Sequence, residues 1–142
     1  MRLTSSNAPE VLFGSDVVVD ALDNIHDRFI LEKITKHLGI PFIHSAIAGF
    51  EGWMMPIFSD DLELKFLYAG KETEKRNAEA PEAIFGVPAL TSSIIGSLQS
   101  MEVLKVILTR CKILRNIMAH IDLEKGQLNE FVFENPDSFE SS

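Results

Sequence analysis

Two apolar runs separated by a single helical segment constrain this chain more than any other feature. Residues 16–22 (DVVVDAL) and 40–48 (IPFIHSAIA) do not alternate polar with apolar, which is the pattern of strands buried on both faces of a parallel sheet. Between them the signals are helical. Asn24 is a suitable N-cap with Asp27 three residues on, Ile25, Phe29, Ile34 and Leu38 recur at helical spacing, and Gly39 followed by Pro41 ends the segment. Strand, helix and strand in this order make a right-handed βαβ unit. The expected class is therefore α/β, with a mainly parallel sheet.

The remainder of the chain extends that unit. After GFEG at 49–52, residues 53–58 read as a strand, with Pro56 placing it near an edge or bulge. SDD at 59–61 reads as a turn into LELKFLY, where Leu62, Leu64, Phe66 and Tyr68 would line one face of an antiparallel extension. A long helix is expected over 88–109. Its stripe of Ile94, Leu98, Met101, Leu104 and Leu108 is widened by Ile95, Val103, Val106 and Ile107, so near-complete burial is expected. Ser93, Gly96, Ser97 and Ser100 would let another element approach its backbone. Residues 113–134 read as two strands around EKG, a C-terminal hairpin, with 135–142 as a frayed polar tail.

One segment cannot pack. GKETEKRNAEAPE, 70–82, carries seven charged residues and nothing apolar larger than alanine or proline, so a mobile loop is expected there. It reads either as a solvated linker or as a lid over a site.

Length and charge exclude several functions. The 142 residues fit a single domain, 1–142, and a chain of this size buries roughly 70% of its unfolded surface. With a formal charge of -8 and no basic stripe, a nucleic-acid partner is not expected. The amino terminus has no apolar core of signal-peptide type, and the run 87–108 holds Gln99, Glu102, Lys105 and four serines, so neither export nor membrane insertion is expected. A cytoplasmic protein is the corresponding expectation. Cys111 is the single cysteine. It rules out an internal disulfide and a cysteine zinc site built by this chain alone.

Few residues point to chemistry by position. In an open parallel sheet, ligands sit beyond the carboxyl ends of the strands, and Asp23 lies there. A carboxylate at that place suits Mg²⁺, which takes one or two carboxylates plus phosphates; equally, Asp23 or Asn24 could simply cap the following helix. His44 reads as a hydrogen-bonded interior histidine and Cys111 as a structural thiol. The role of Asp20 is open. No glycine-rich phosphate loop and no nucleophile-base-acid pattern is present; GFEG lacks the required spacing and context.

In sequence order, DVVVDALDNIHDR, LGIPFIHSAIAGFEGWMMPIF, GVPALTSSIIGSLQSMEVLKVIL and LRNIMAHIDLEKGQLNEF resemble the second half of the ThiF/MoeB/HesA family, relatives of ubiquitin-activating E1 enzymes. The resemblance implies a partial Rossmann-like, E1-like domain that uses ATP and Mg²⁺ to adenylate the C-terminal glycine of a ubiquitin-like sulfur carrier, in thiamine- or molybdopterin-type sulfur transfer. It implies that Asp23 is the catalytic Mg²⁺ ligand and that Asn24 and Arg28 belong to the nucleotide motif, Arg28 as a positioning or salt-bridge residue. By the same resemblance, Gly49, Phe50, Glu51 and Gly52 line the path of the carrier's tail, 70–82 is the crossover loop above it, and the protein is a homodimer. The paired CxxC motifs of zinc-binding members are absent, so no zinc is expected, and no cysteine lies in or near the 70–82 loop, so no carrier thioester is expected. The glycine-rich nucleotide loop belongs to the family's amino-terminal half, so this chain by itself is expected to be inactive. The alternative is a non-catalytic binding and dimerisation module that retains the carrier surface. A degenerate dinucleotide-binding oxidoreductase is a third option that only the sheet architecture supports.

Overall fold

A computed structural model describes residues 3–68 and 88–133. The βαβ unit forms where local chemistry dictates. Strand β1 (Val18–Val19) follows a short helix α1 (Ala8–Leu12) and leads into helix α2 (Ile25–Leu38). Asn24 Oδ1 accepts the Asp27 backbone N–H at 2.8 Å, and Gly39 closes the helix in the left-handed region at φ 69°. Caps of this kind are each worth about 1 kcal/mol. Strand β2 (Phe42–Ala48) then returns parallel to β1, pairing Val18 with Phe42 and Val19 with Ile43.

The first strand is shorter than its apolar run. Only two of residues 16–22 pair, and Val19 is 43% exposed. Among the described residues β1 has β2 on one side only, so the expected double burial is not reached.

Beyond β2 the sheet changes direction. Gly49 and Phe50 form a two-residue turn, with Gly49 at φ 58°, into strand β3 (Glu51–Ile57), which pairs antiparallel along the whole of β2. Among the described residues β3 is the middle strand of five. Pro56 is tolerated because β4 pairs only with Glu51 to Met54. Counting alternate pairs from the hairpin, Ile43↔Pro56 is a non-hydrogen-bonded pair, so the proline nitrogen faces away from β2, where no ladder bond is lost.

The segment expected as a strand at 62–68 contains instead the single helical turn α3 (Leu64–Leu67). Alternation over so few residues also fits one turn of helix. The turn is fixed by the Leu64 N–H, which donates at 2.7 Å to Glu32 Oε1 of α2, while Leu64 is fully buried and Phe66 is 55% exposed.

Helix α4 (Ala89–Leu108) spans the expected range, but a different face is covered. Thr91, Ile95, Gln99 and Glu102 are its buried residues, whereas Leu90, Ile94, Met101, Leu104, Ile107 and Leu108 are exposed. A helix apolar on every side gives no phase, and the polar positions settled the choice because each finds a partner. Thr91 Oγ1 donates to the Gly49 carbonyl at 2.9 Å, and Gln99 Nε2 donates to the carbonyls of Asp20 and Ile43 at 3.0 and 3.1 Å. Glu102 accepts from Lys105 Nζ and from the Leu114 N–H.

Strands β4 (Ile117–Asp122) and β5 (Gln127–Val132) complete the sheet as the expected hairpin. The order is β1-β2-β3-β4-β5. Of its four pairings one is parallel and three are antiparallel, so the α/β, Rossmann-like class holds while the proportion of parallel pairing is smaller than expected. Two-residue and four-residue connections cannot supply the crossover that parallel strands need. One face of the sheet buries Phe42, Met55 and Ile57 with α1, α2 and α3; the other buries Ile43, Met54 and Ala119 beside Leu98 and Val103 of α4. The expected mobile loop at 70–82 and the tail at 135–142 lie outside the described residues.

Candidate functional site

The three acids that flank β1 differ in environment. Asp16 and Asp23 are exposed, while Asp20 is fully buried. Parallel register explains the difference: Val19 lies beside Ile43, so Asp20 falls next to His44, and its N–H donates to the Ile43 carbonyl at 2.9 Å.

Asp20 is held by a set of buried partners. Its Oδ2 lies 2.6 Å from His44 Nδ1 and 3.3 Å from Arg28 Nε, and its Oδ1 accepts the Leu22 N–H at 3.0 Å. Arg28, itself 2% exposed, donates from Nη2 to the Leu22 carbonyl and from Nη1 to the Tyr68 hydroxyl at 3.1 Å. Tyr68 Oη in turn lies 3.4 Å from His44 Nε2. Four side chains thus form a closed ring. A buried carboxylate is tolerated when it is ion-paired and hydrogen-bonded in this way.

Asp23 sits at the mouth of that arrangement. Asn24 Nδ2 donates to Asp23 Oδ1 at 3.3 Å and to Asp27 Oδ2 at 3.0 Å, while its own Oδ1 caps α2. Capping and orientation of Asp23 are therefore two tasks of one amide. Among the described residues no group of three or more His, Cys, Asp or Glu could hold a metal. A single exposed carboxylate fits a cation that arrives with nucleotide phosphates and keeps its waters, rather than a resident ion.

The GFEG residues divide as well. Gly49 turns the hairpin and its carbonyl accepts from Thr91; Phe50 is exposed; Glu51 Oε2 lies 2.9 Å from His120 Nε2. Gly52 is used internally. A Cβ there would come within 2.5 Å of Ile95 Cγ1, so the close approach at Gly52 is made by α4 of the same chain. On the opposite face of the sheet His44, Ala46, Trp53, Leu67, Tyr68 and Met118 line an open cleft of about 270 Å³.

The four-membered ring is what sequence reasoning missed. His44 is interior and hydrogen-bonded as expected, but its link to Asp20 follows only once the two runs are aligned in parallel register. Cys111 is exposed rather than part of the core, with a backbone φ of 62°.

An open α/β sheet covered by helices on both faces is of the Rossmann type, in which ligands bind beyond the carboxyl ends of the parallel strands. The chain belongs to the ThiF family, whose model matches residues 1–140. It is similar to the SAMP-activating enzyme E1 of Haloferax volcanii, 35% identical over 114 residues that cover 75% of this chain and 39% of that protein. A probable molybdopterin-synthase adenylyltransferase of Porphyra purpurea is 30% identical over 143 residues, 95% of this chain and 37% of that one. The sulfur carrier protein adenylyltransferase of Thermus thermophilus is 32% identical over 112 residues, covering 76% and 41%. The chain thus spans less than half the length of these relatives. Among solved structures, Escherichia coli MccB with ATP superposes with a TM-score of 0.68 at 13% identity, covering 93% of this chain and 41% of MccB, a likeness of fold. Among the described residues no helix is long and apolar enough to cross a membrane.

Proposed function

We propose that this chain forms part of an ATP-dependent, E1-like adenylyltransferase acting in the cytoplasm on the C-terminal carboxylate of a ubiquitin-like sulfur carrier. The observation that carries the reading is the division of acids at the β1–α2 turn, which buries Asp20 and leaves Asp23 exposed at the strand's carboxyl end. Names of the related proteins support the substrate class. In this reading Asp23 is the Mg²⁺ ligand, Asn24 orients it, and Arg28 holds the turn. Magnesium bound with ATP would supply charge neutralisation on the phosphates as the carrier's carboxylate attacks the α-phosphorus, forming the acyl adenylate while the bond to the bridging oxygen breaks and pyrophosphate leaves. The chain's own part is to present Asp23 in a fixed geometry and to receive the carrier's tail beside Gly49, Phe50 and Glu51. With Gly52 committed to α4, the tail would lie along the turn rather than across that glycine.

ATP–pyrophosphate exchange with a sulfur carrier tests the proposal, using the 142-residue chain alone and with a ThiF-family amino-terminal half supplied in trans. Exchange is expected only with that half present, and Asp23→Ala is expected to lower it at least about 100-fold. Undiminished exchange in the variant would remove Asp23 from the site.

A second reading, a non-catalytic binding and dimerisation module, is favoured by the exposed apolar face of α4. It predicts carrier binding by calorimetry with no exchange under any of these conditions. In both readings that face and the open side of β1 are covered by a second copy or by the remainder of an E1-like fold.

A further inference from the structure

We infer that Asp20 and Arg28 form a clamp on the backbone of Leu22 whose task is to position Asp23. The inference rests on the reading of Asp23 as the metal ligand. Both polar groups of Leu22 are gripped: Asp20 Oδ1 accepts its N–H at 3.0 Å and Arg28 Nη2 donates to its carbonyl. The two gripping side chains are joined to each other through Arg28 Nε and Asp20 Oδ2 at 3.3 Å. Asp23 is the next residue, so the two peptide units that lead into it, Ala21–Leu22 and Leu22–Asp23, cannot rotate without breaking a charge-assisted bond each.

The clamp is anchored on both faces of the sheet. On one face, His44 fixes Asp20 Oδ2 at 2.6 Å and Tyr68 links His44 to Arg28. From the other, Gln99 Nε2 and Ser45 Oγ donate to the Asp20 carbonyl at 3.0 and 3.3 Å. Stability alone does not call for such a set, because apolar residues of similar volume commonly replace a buried ion pair at no loss. What apolar residues cannot do is hold the N–H and the C=O of Leu22, and so the peptide units on both sides of it, next to an exposed carboxylate. Oriented ligands bind a metal more tightly, and loss of an orienting partner typically weakens it roughly 10- to 100-fold.

Two readouts test the clamp. The first is amide hydrogen exchange of the Leu22 N–H in the chain itself: Asp20→Asn and Arg28→Lys are each expected to accelerate it roughly 10-fold, with amides at the centre of β3 unchanged. The second is the Mg²⁺ concentration for half-maximal ATP–pyrophosphate exchange in the reconstituted pair. Both variants are expected to raise it roughly 10- to 100-fold, with most of the maximal rate recovered at saturating Mg²⁺. A merely structural role would accelerate exchange of β3 amides and lower the maximal rate without moving the Mg²⁺ midpoint; that result overturns the clamp. Arg28→Lys keeps the buried positive charge, so it remains informative should Asp20→Asn fail to fold. Asp23→Asn separates the two claims. If it leaves the midpoint in place, the metal-ligand reading fails; if it moves the midpoint while both clamp variants do not, the clamp alone fails.

Discussion

At Gly52 the absence of a side chain has a measurable consequence. The space its Cβ would occupy is filled by Ile95, with Thr91 close by. Gly52→Ala is therefore expected to destabilise the fold by about 1–3 kcal/mol in chemical denaturation, and Ile95→Ala, which removes both Cγ1 and Cδ1, to cost less in the Gly52→Ala background than alone. Additive effects of the two substitutions would show that the contact is not shared. The same scale marks what could be read from the sequence. Asn24 was legible as a cap because a cap depends on residues three apart. The pairing of Asp20 with His44 depends on strand register, and the choice of Gln99 over Met101 as a buried residue depends on carbonyls of Asp20 and Ile43. Neither is encoded nearby, so neither could be read locally.

Elements were legible to the degree that their ends are local. α2 and α4 match their expected spans because Gly39 and the residues around Pro88 punctuate them. α3 was misread since the Glu32 carboxylate that fixes it lies 32 residues away. The β4–β5 hairpin turn offers a pH test. The Asp122 carboxyl is held below its ordinary value first by the Lys125 side chain, at 2.7 Å, and then by the Lys125 backbone N–H at 3.0 Å. A depressed folded pKa contributes stability that is present above the unfolded value, near pH 4, and is lost as pH falls through the folded value. Asp122→Asn is thus expected to flatten the acid limb of the stability profile below about pH 4, followed by urea denaturation across that range. An unchanged limb would assign the acid dependence elsewhere.

Across the whole molecule, the exposed residues of α4 are the clearest demand for a partner. Leu90 is 68% exposed and Met101, Leu104, Ile107 and Leu108 are about half exposed on a helix that otherwise packs on β2 and β3. Clustered exposure of this kind marks an interaction surface or an aggregation hazard. Met101→Glu with Leu104→Glu is expected to shift sedimentation toward the monomer, or to abolish binding of the amino-terminal half, while changing the unfolding free energy of the isolated chain in urea by less than about 0.5 kcal/mol. Unaltered assembly would place the contact on another face. The fold class was legible because one βαβ unit determines it, whereas the exposed helix face was not, since it reflects surface that these residues do not cover themselves.

The layout of the sheet also bears on how it assembles. β2 with β3, and β4 with β5, are hairpins of adjacent sequence, each paired through local contacts. Among the described residues they are joined by the pairing of Glu51 to Met54 with Ala119 to Asp122 and by the Leu123 N–H on the Phe50 carbonyl, across an intervening stretch of roughly sixty residues that includes α4. That seam carries the high-contact-order step of folding. Until it closes, the chain is two local hairpins with facing, unpaired edges, and β3 and β4 are where a nascent molecule is most open to pairing with the wrong neighbour.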